Sequence, residues 1–245
     1  MASFIATARS VAPTRELVGV LVVLLSPRTA SDRRRYDALQ QLRREHDSAY
    51  PRWLPHITLI PPFILSSHQP ISTGDAFNDL VSSNAEKLDR IKQVAAEVCA
   101  RCRAHALLLD QVATFPLRAY TNVHLRPTPT NFTDRSTPAR SQASSAGEDT
   151  SSRRIVQLQT ELKQALLPIV GGARSRRQVW KPHVSVGQAS NRRETWQLCN
   201  AAENILSDDG EAGMTCEVHS VQLMLKPKRD PGPYHLRQSF PLARE

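Results

Sequence analysis

Two five-residue stretches of the chain carry one chemistry-bearing pattern. Pro55-His56-Ile57-Thr58-Leu59 and Pro182-His183-Val184-Ser185-Val186 each set a histidine two positions before a hydroxyl residue, with aliphatic residues between and after. In an extended strand residues i and i+2 share a face. The spacing therefore predicts His56 beside Thr58, and His183 beside Ser185, with Ile57, Leu59, Val184 and Val186 turned into a core. One His-x-Thr is common on ordinary half-buried strands. Here it occurs twice, each copy opened by a proline and preceded by a tryptophan, Trp53 or Trp180. Two imidazoles and two hydroxyls converging across a cleft suit a small anion. Imidazole gains or loses a proton near neutral pH, and preorganised hydroxyls stabilise charge growing on nonbridging oxygens. The chemistry predicted is cleavage of a phosphate ester, one histidine acting as base and the other as acid, with the assignment between them open.

These residues resemble the two-histidine (2H) phosphoesterase superfamily. Its signature is a pair of His-x-Thr/Ser-x motifs with hydrophobic x, matched by His56-Ile57-Thr58-Leu59 and His183-Val184-Ser185-Val186. Residues 17–25, 107–116 (ending in Phe115-Pro116) and 218–226 resemble the family's first, middle and late strands, so the likeness spans most of residues 16–242. It implies an α+β fold of two lobes related by an approximate two-fold axis, each a small antiparallel sheet backed by helices, around a central cleft. It implies a phosphodiesterase needing neither metal nor cofactor, acting on 2',3'-cyclic phosphates or RNA ends. His56 and His183 would be catalytic, with Thr58 and Ser185 as their hydroxyl partners. The alternatives are 2'-5' RNA ligation and a non-catalytic nucleotide- or RNA-binding module of the same fold. Gly187-Gln188 stands where some ligase-like members carry an arginine, which favours hydrolysis over ligation. Two intact histidines favour an enzyme over a binder.

Charge agrees with an anionic partner. Lys and Arg number 32 against 23 Asp and Glu, a net charge of +9, which favours polyanions such as a nucleotide or an RNA end. Arg174, Arg176, Arg177 and Lys181 cluster just before the second motif, and Arg118 and Tyr120 follow Phe115-Pro116. Of these, Arg118, Tyr120, Lys181 and Arg177 are the candidate substrate contacts. Trp53 and Trp180 are candidates for stacking on a base or for packing beside the motif strands. His46, His68, His105, His124, His219 and His235 lack the paired motif context and stay outside the predicted site. Cys99-x-x-Cys102 lies in a helical pattern with no second pair at zinc-finger spacing, so the four cysteines read as thiols in a reducing compartment and no metal is implied. The apolar run at 17–25 is too short to span a membrane, and no cleavage pattern follows it. A cytoplasmic or nuclear monomer is expected.

At 245 residues and 40% hydrophobic content, the chain can bury one sizeable core. The reading is a flexible terminus at 1–15 and one bilobal domain over 16–242, interrupted at 127–152 by a Ser-, Thr- and Pro-rich flexible insertion. The elements expected to position the motifs alternate. A strand at 17–25 precedes a helix at 32–46 capped by Ser31, and Pro61-Pro62 ends the first motif strand. A polar loop fills 66–83. Asn84 caps a helix whose Leu88, Ile91, Ala95, Val98 and Cys102 form one face. A hairpin joins 107–115 to 120–125 through Pro116-Leu117-Arg118. Ile155, Leu158, Leu162 and Leu166 mark another helix, closed by Pro168 and Gly171-Gly172. After the second motif come a helix at 192–206 and final strands at 218–225 and 234–242.

Overall fold

The computed structural model describes residues 15–67, 76–128, 148–171, 180–207 and 212–244. Expectations for residues 1–14, for Arg174, Arg176 and Arg177, and for most of the insertion lie outside these. In chain order the elements are β1 (Arg15–Leu24), α1 (Ala30–His46), β2 (His56–Ser67), α2 (Ala76–Ser83), α3 (Ala85–Arg101), β3 (His105–Leu109), β4 (Gln111–Pro116), β5 (Thr121–Arg126), α4 (Glu148–Val170), β6 (Val184–Ala189), α5 (Arg192–Leu206), β7 (Met214–Val218), β8 (Ser220–Pro227) and β9 (His235–Pro241). The fold is α+β, as expected, with antiparallel sheets ordered β2-β1-β8-β9, β4-β5-β6 and β3-β7.

Among the described residues three sheets stand where two were expected, and Asp110 is the reason. The apolar run from Leu107 breaks there. Asp110 Oδ1 accepts the Thr128 backbone N–H at 2.7 Å, so the run splits into β3, paired with β7, and β4, paired with β5. Strand β7 itself was not anticipated. Its buried Met214, Cys216 and Val218 alternate with half-buried residues, but Thr215 and Glu217 dilute the apolar signal.

Two boundaries also differ from the expected ones for local reasons. Helix α1 is capped by Thr29, not Ser31: Thr29 Oγ1 accepts the Asp32 N–H at 3.1 Å while Asp32 Oδ2 accepts the Thr29 N–H at 3.0 Å, a reciprocal capping box. Strand β2 does not stop at Pro61-Pro62. It continues to Ser67, and the two prolines fall where its register against β1 shifts, between Ile60 opposite Leu21 and Phe63 opposite Gly19. At a bulge on an outermost strand the missing proline N–H groups cost no ladder bond. The expected loop at 66–83 contains α2, and the last residues of the expected insertion begin α4.

The core joins the elements that carry the motifs. Leu17, Leu21 and Val23 of β1, Ile57, Leu59 and Leu65 of β2, Leu88 and Ile91 of α3 and Leu158, Leu162 and Leu166 of α4 all belong to one buried cluster with Val184 and Val186 of β6. Helix α4 packs on α3 and β2, while α1 and α5 pack on β6. Gly171, at φ +66°, closes α4, in the left-handed conformation that glycine tolerates.

Candidate active site

Both motifs fold as their spacing predicts. Ile57 and Leu59 are buried to 2% and 0% exposure, Val184 and Val186 to 0%, while His56, Thr58, His183 and Ser185 are half-buried on the opposite faces. Nδ1 of His56 lies 2.8 Å from the Leu54 carbonyl and Nδ1 of His183 lies 2.9 Å from the Lys181 carbonyl. A carbonyl only accepts, so in each ring Nδ1 is the N–H donor and Nε2 is left to take or give a proton. His105 makes the same bond to Arg103 at 3.1 Å. The lock is therefore a property of a histidine at a strand entry, and what sets His56 and His183 apart is that the charge of one acts on the ring of the other.

The two tryptophans brace the motif segments. Trp180 Nε1–H donates to the Thr58 carbonyl at 3.1 Å, joining the approach to the second motif directly to the first motif strand. Some Cα atoms of β2 and β6 lie within 8 Å of each other. Trp53 is sandwiched between His56 and Tyr234, with ring centroids at 4.4 and 4.1 Å and both pairs tilted by 29°. With both faces covered, Trp53 supports the His56 ring and is not a stacking platform for a base. Burial lowers the His56 pKa most. The bond to Leu54 opposes it, Arg43 lowers the pKa further, Asp47 raises it and the His183 charge lowers it. His56 is thus biased towards the neutral ring.

Strand β5 contributes two residues that the sequence reading left out. His124 pairs across the ladder with Ser185, its ring centroid is 5.2 Å from that of His183, and Phe115 touches both at 4.9 and 5.5 Å. Burial, then the charges of His183, Arg126 and Lys181, push the His124 pKa down to about 4, so this third imidazole is neutral at physiological pH. Asn122 Nδ2 donates to Ser185 Oγ at 3.2 Å. That bond occupies an acceptor position of the hydroxyl and leaves its O–H to donate elsewhere. The alternation in Thr121-Asn122-Val123-His124-Leu125-Arg126, with Val123 and Leu125 buried in the core, was the signal that could have found both residues.

A cleft of about 1380 Å³ runs between the outer half of β2, strands β4 and β5, and α4. Phe63, Phe115, Leu166 and Trp180 give it apolar walls, Arg126, Lys163 and Lys181 give it positive charge, and among the described residues no carboxylate lines it. His124 and His183 reach this cleft, whereas His56, Thr58 and Ser185 lie outside its walls. Of the expected substrate contacts, Lys181 lines it. Arg118 and Tyr120 are exposed at the tip of the β4–β5 hairpin, past Leu117, the last wall residue. Arg177 is outside the described residues. Among the described residues no group of three or more His, Cys, Asp or Glu side chains is placed to hold a metal ion, and no helix is long and apolar enough to cross a membrane.

Comparison with known proteins decides the family. The model of the 2'-5' RNA ligase superfamily matches residues 27–230. The chain belongs to that superfamily. No curated protein matches the sequence at a significant level. Among solved structures of the 2H phosphoesterase type, E. coli LigT complexed with 3'-AMP is similar at 15% identity and a TM-score of 0.48, over 94% of this chain and 98% of LigT. Kluyveromyces marxianus Usb1 with uridine monophosphate is similar at 13% identity and a TM-score of 0.47, over 92% of this chain and 98% of Usb1.

Proposed function

We propose that the protein is a metal-independent phosphodiesterase that opens 2',3'-cyclic phosphates or cleaves phosphodiester bonds at RNA ends, with His56 and His183 as its acid–base pair. The observation that carries this reading is the paired placement of the two rings. Each stands at a strand entry with Nδ1 fixed to the carbonyl two residues back and Nε2 left to exchange a proton, and the Trp180 bond joins the two motifs. For a cyclic phosphate, water attacks phosphorus while its proton passes to the neutral ring. The bond from phosphorus to one ribose oxygen breaks as the other ring, protonated, gives that oxygen its proton. His56, held towards neutrality by burial, fits the base. His183 is then the acid. Ser185, its acceptor position taken by Asn122, and Thr58 direct hydroxyl protons at the nonbridging oxygens.

Superfamily membership and a cleft whose described charged lining is cationic both support an RNA end as substrate, with Lys181, Arg126 and Lys163 facing its phosphates. The same reading has the protein act as a monomer in the cytoplasm or nucleus through one two-lobed domain over residues 16–242. The test is a panel of nucleoside 2',3'-cyclic phosphates and cyclic-phosphate-ended oligonucleotides, incubated with EDTA, with products resolved as 2'- or 3'-phosphates. Turnover that survives EDTA and yields one product isomer is expected. Inertness towards the whole panel, or activity that EDTA abolishes and a divalent ion restores, would refute the proposal.

A further inference from the structure

The C-terminal end of α1 is tied to the segment before the first motif strand and to the second motif strand through three side chains that the mechanism above does not use. Arg43, 2% exposed, donates Nε and Nη2 to Asp47 Oδ2 at 3.1 and 2.8 Å, and Nη2 also reaches the Trp53 carbonyl at 3.0 Å. Trp53 is the ring stacked on His56, and the next residue, Leu54, holds His56 Nδ1. The other oxygen of Asp47 accepts the Ala49 N–H at 2.9 Å and Gln188 Nε2–H at 3.0 Å, and Gln188 Oε1 accepts the Ser48 N–H at 2.9 Å. Gln188 lies on β6, three residues after Ser185. An unbroken chain of hydrogen bonds thus runs from the backbone before His56 to the strand after His183.

The backbone is shaped for this contact. A Cβ at Gly187 would sit 2.8 Å from His46 Cβ and 2.9 Å from the His46 carbonyl, so only glycine lets the end of α1 lie this close to β6. Arg43 and Asp47, 2% and 5% exposed, hold one geometry because leaving either unpaired is costly, and half-buried Gln188 is tied to that fixed pair. Asp47 and Arg43 also act on the His56 ring with opposite signs.

We infer that Arg43, Asp47 and Gln188 form a positioning clasp that sets the separation of the two histidines, with Gln188 as the link between the halves. The inference rests on the acid–base reading above. A change of about 1 Å in the placement of reacting groups is worth about 10²-fold in rate, which is the scale on which a loosened clasp acts.

Gln188→Leu removes both links and leaves Asp47 paired with Arg43, so no buried charge is orphaned. It should lower kcat on a cyclic mononucleotide by about 10- to 100-fold, leave KM within about threefold, and lower the unfolding midpoint by only about 2 to 4 °C. Gln188→Lys, which restores a donor to Asp47, should recover part of the lost kcat. Asp47→Asn tests the clasp independently of turnover, by NMR titration of the His56 ring. The charged groups acting on that ring are Asp47, Arg43 and His183. With Asp47 neutralised, the charges that remain, Arg43 and His183, both disfavour the protonated ring while the Leu54 bond is unchanged, and the titration should move to lower pH. Unchanged kcat in Gln188→Leu, or an unmoved His56 titration in folded Asp47→Asn, would overturn the inference. A wild-type protein inert on every ester would instead refute the acid–base reading, and the His56 titration alone would then decide whether the clasp acts on that ring.

Discussion

Acidification should weaken the fold through His124, and the size of the effect follows from its environment. In the unfolded chain this ring takes a proton near its ordinary pKa of 6.5, whereas in the folded protein burial and the charges of His183, Arg126 and Lys181 hold it down to about 4. Between those values the unfolded state binds the extra proton, so stability rises with pH across the window. The contribution is complete above about pH 6.5 and is lost as pH falls towards about 4. Each pH unit of that gap is worth about 1.4 kcal/mol, and the ring is 6% exposed, so the whole effect is about 3 kcal/mol. The assay is denaturant unfolding of the wild type and of His124→Gln between about pH 7 and about pH 4. His56, also lowered, is common to both proteins and drops out of the difference. The two stability curves should converge by about 3 kcal/mol as pH falls through this window. Parallel curves would show that His124 protonates in the folded protein as freely as in the unfolded one, and the account of its surroundings would fail.

Other outcomes follow from the same geometry. His56→Ala and His183→Ala should each lower kcat by about 10²-fold or more, and the double variant should lose less than the product of the two, measured on whichever cyclic phosphate is turned over fastest. The pH profile of kcat/KM should be bell-shaped, with activity rising through the His56 pKa below the ordinary 6.5, and Asp47→Asn should carry that limb further down. Ser185→Ala should cost about 1 to 3 kcal/mol of transition-state stabilisation. Asn122→Asp, whose carboxylate would accept the Ser185 O–H, should cost a similar amount and add little in combination with Ser185→Ala. Equal additive losses in that cycle would separate Asn122 from the hydroxyl. Gly187→Ala should destabilise the fold by about 1 to 3 kcal/mol, seen as a lowered unfolding midpoint, because the new Cβ meets the His46 backbone.

The motif strands were legible because their chemistry and their periodicity agree: the apolar residues that alternate with His56 and His183 are the ones the core buries. Helix α5 falls at its expected bounds of 192–206, and its cap is Asn191, which accepts the Glu194 N–H at 3.0 Å. Asn122 and His124 were missed because a site was sought as copies of one pattern, and β5 carries no copy. Its polar residues gain their role only from the register that sets His124 opposite Ser185, and register between distant segments has no local trace. Thr29 was missed although Thr-Ala-Ser-Asp spells a capping box, since Ser31 offered a cap nearer to the apolar stripe. Gln188 gave no signal of its own: its partners Asp47 and Ser48 are about 140 residues away in the chain.

Strand β2 is the outermost strand of its sheet, a placement that leaves the face around His56 open to ligand and the backbone open to other chains. Free strand edges recruit further strands and so seed aggregates. Here the same residues that build the site defend the edge. Pro61 and Pro62 leave this stretch without N–H groups to offer an incoming strand, and the Thr58 and Leu59 carbonyls accept from Trp180 Nε1 at 3.1 Å and Gln159 Nε2 at 3.3 Å. Loss of Trp180 would therefore have a second effect unrelated to the spacing of the histidines. It would bare part of a sticky edge, and the variant's solubility at high concentration would suffer alongside its chemistry.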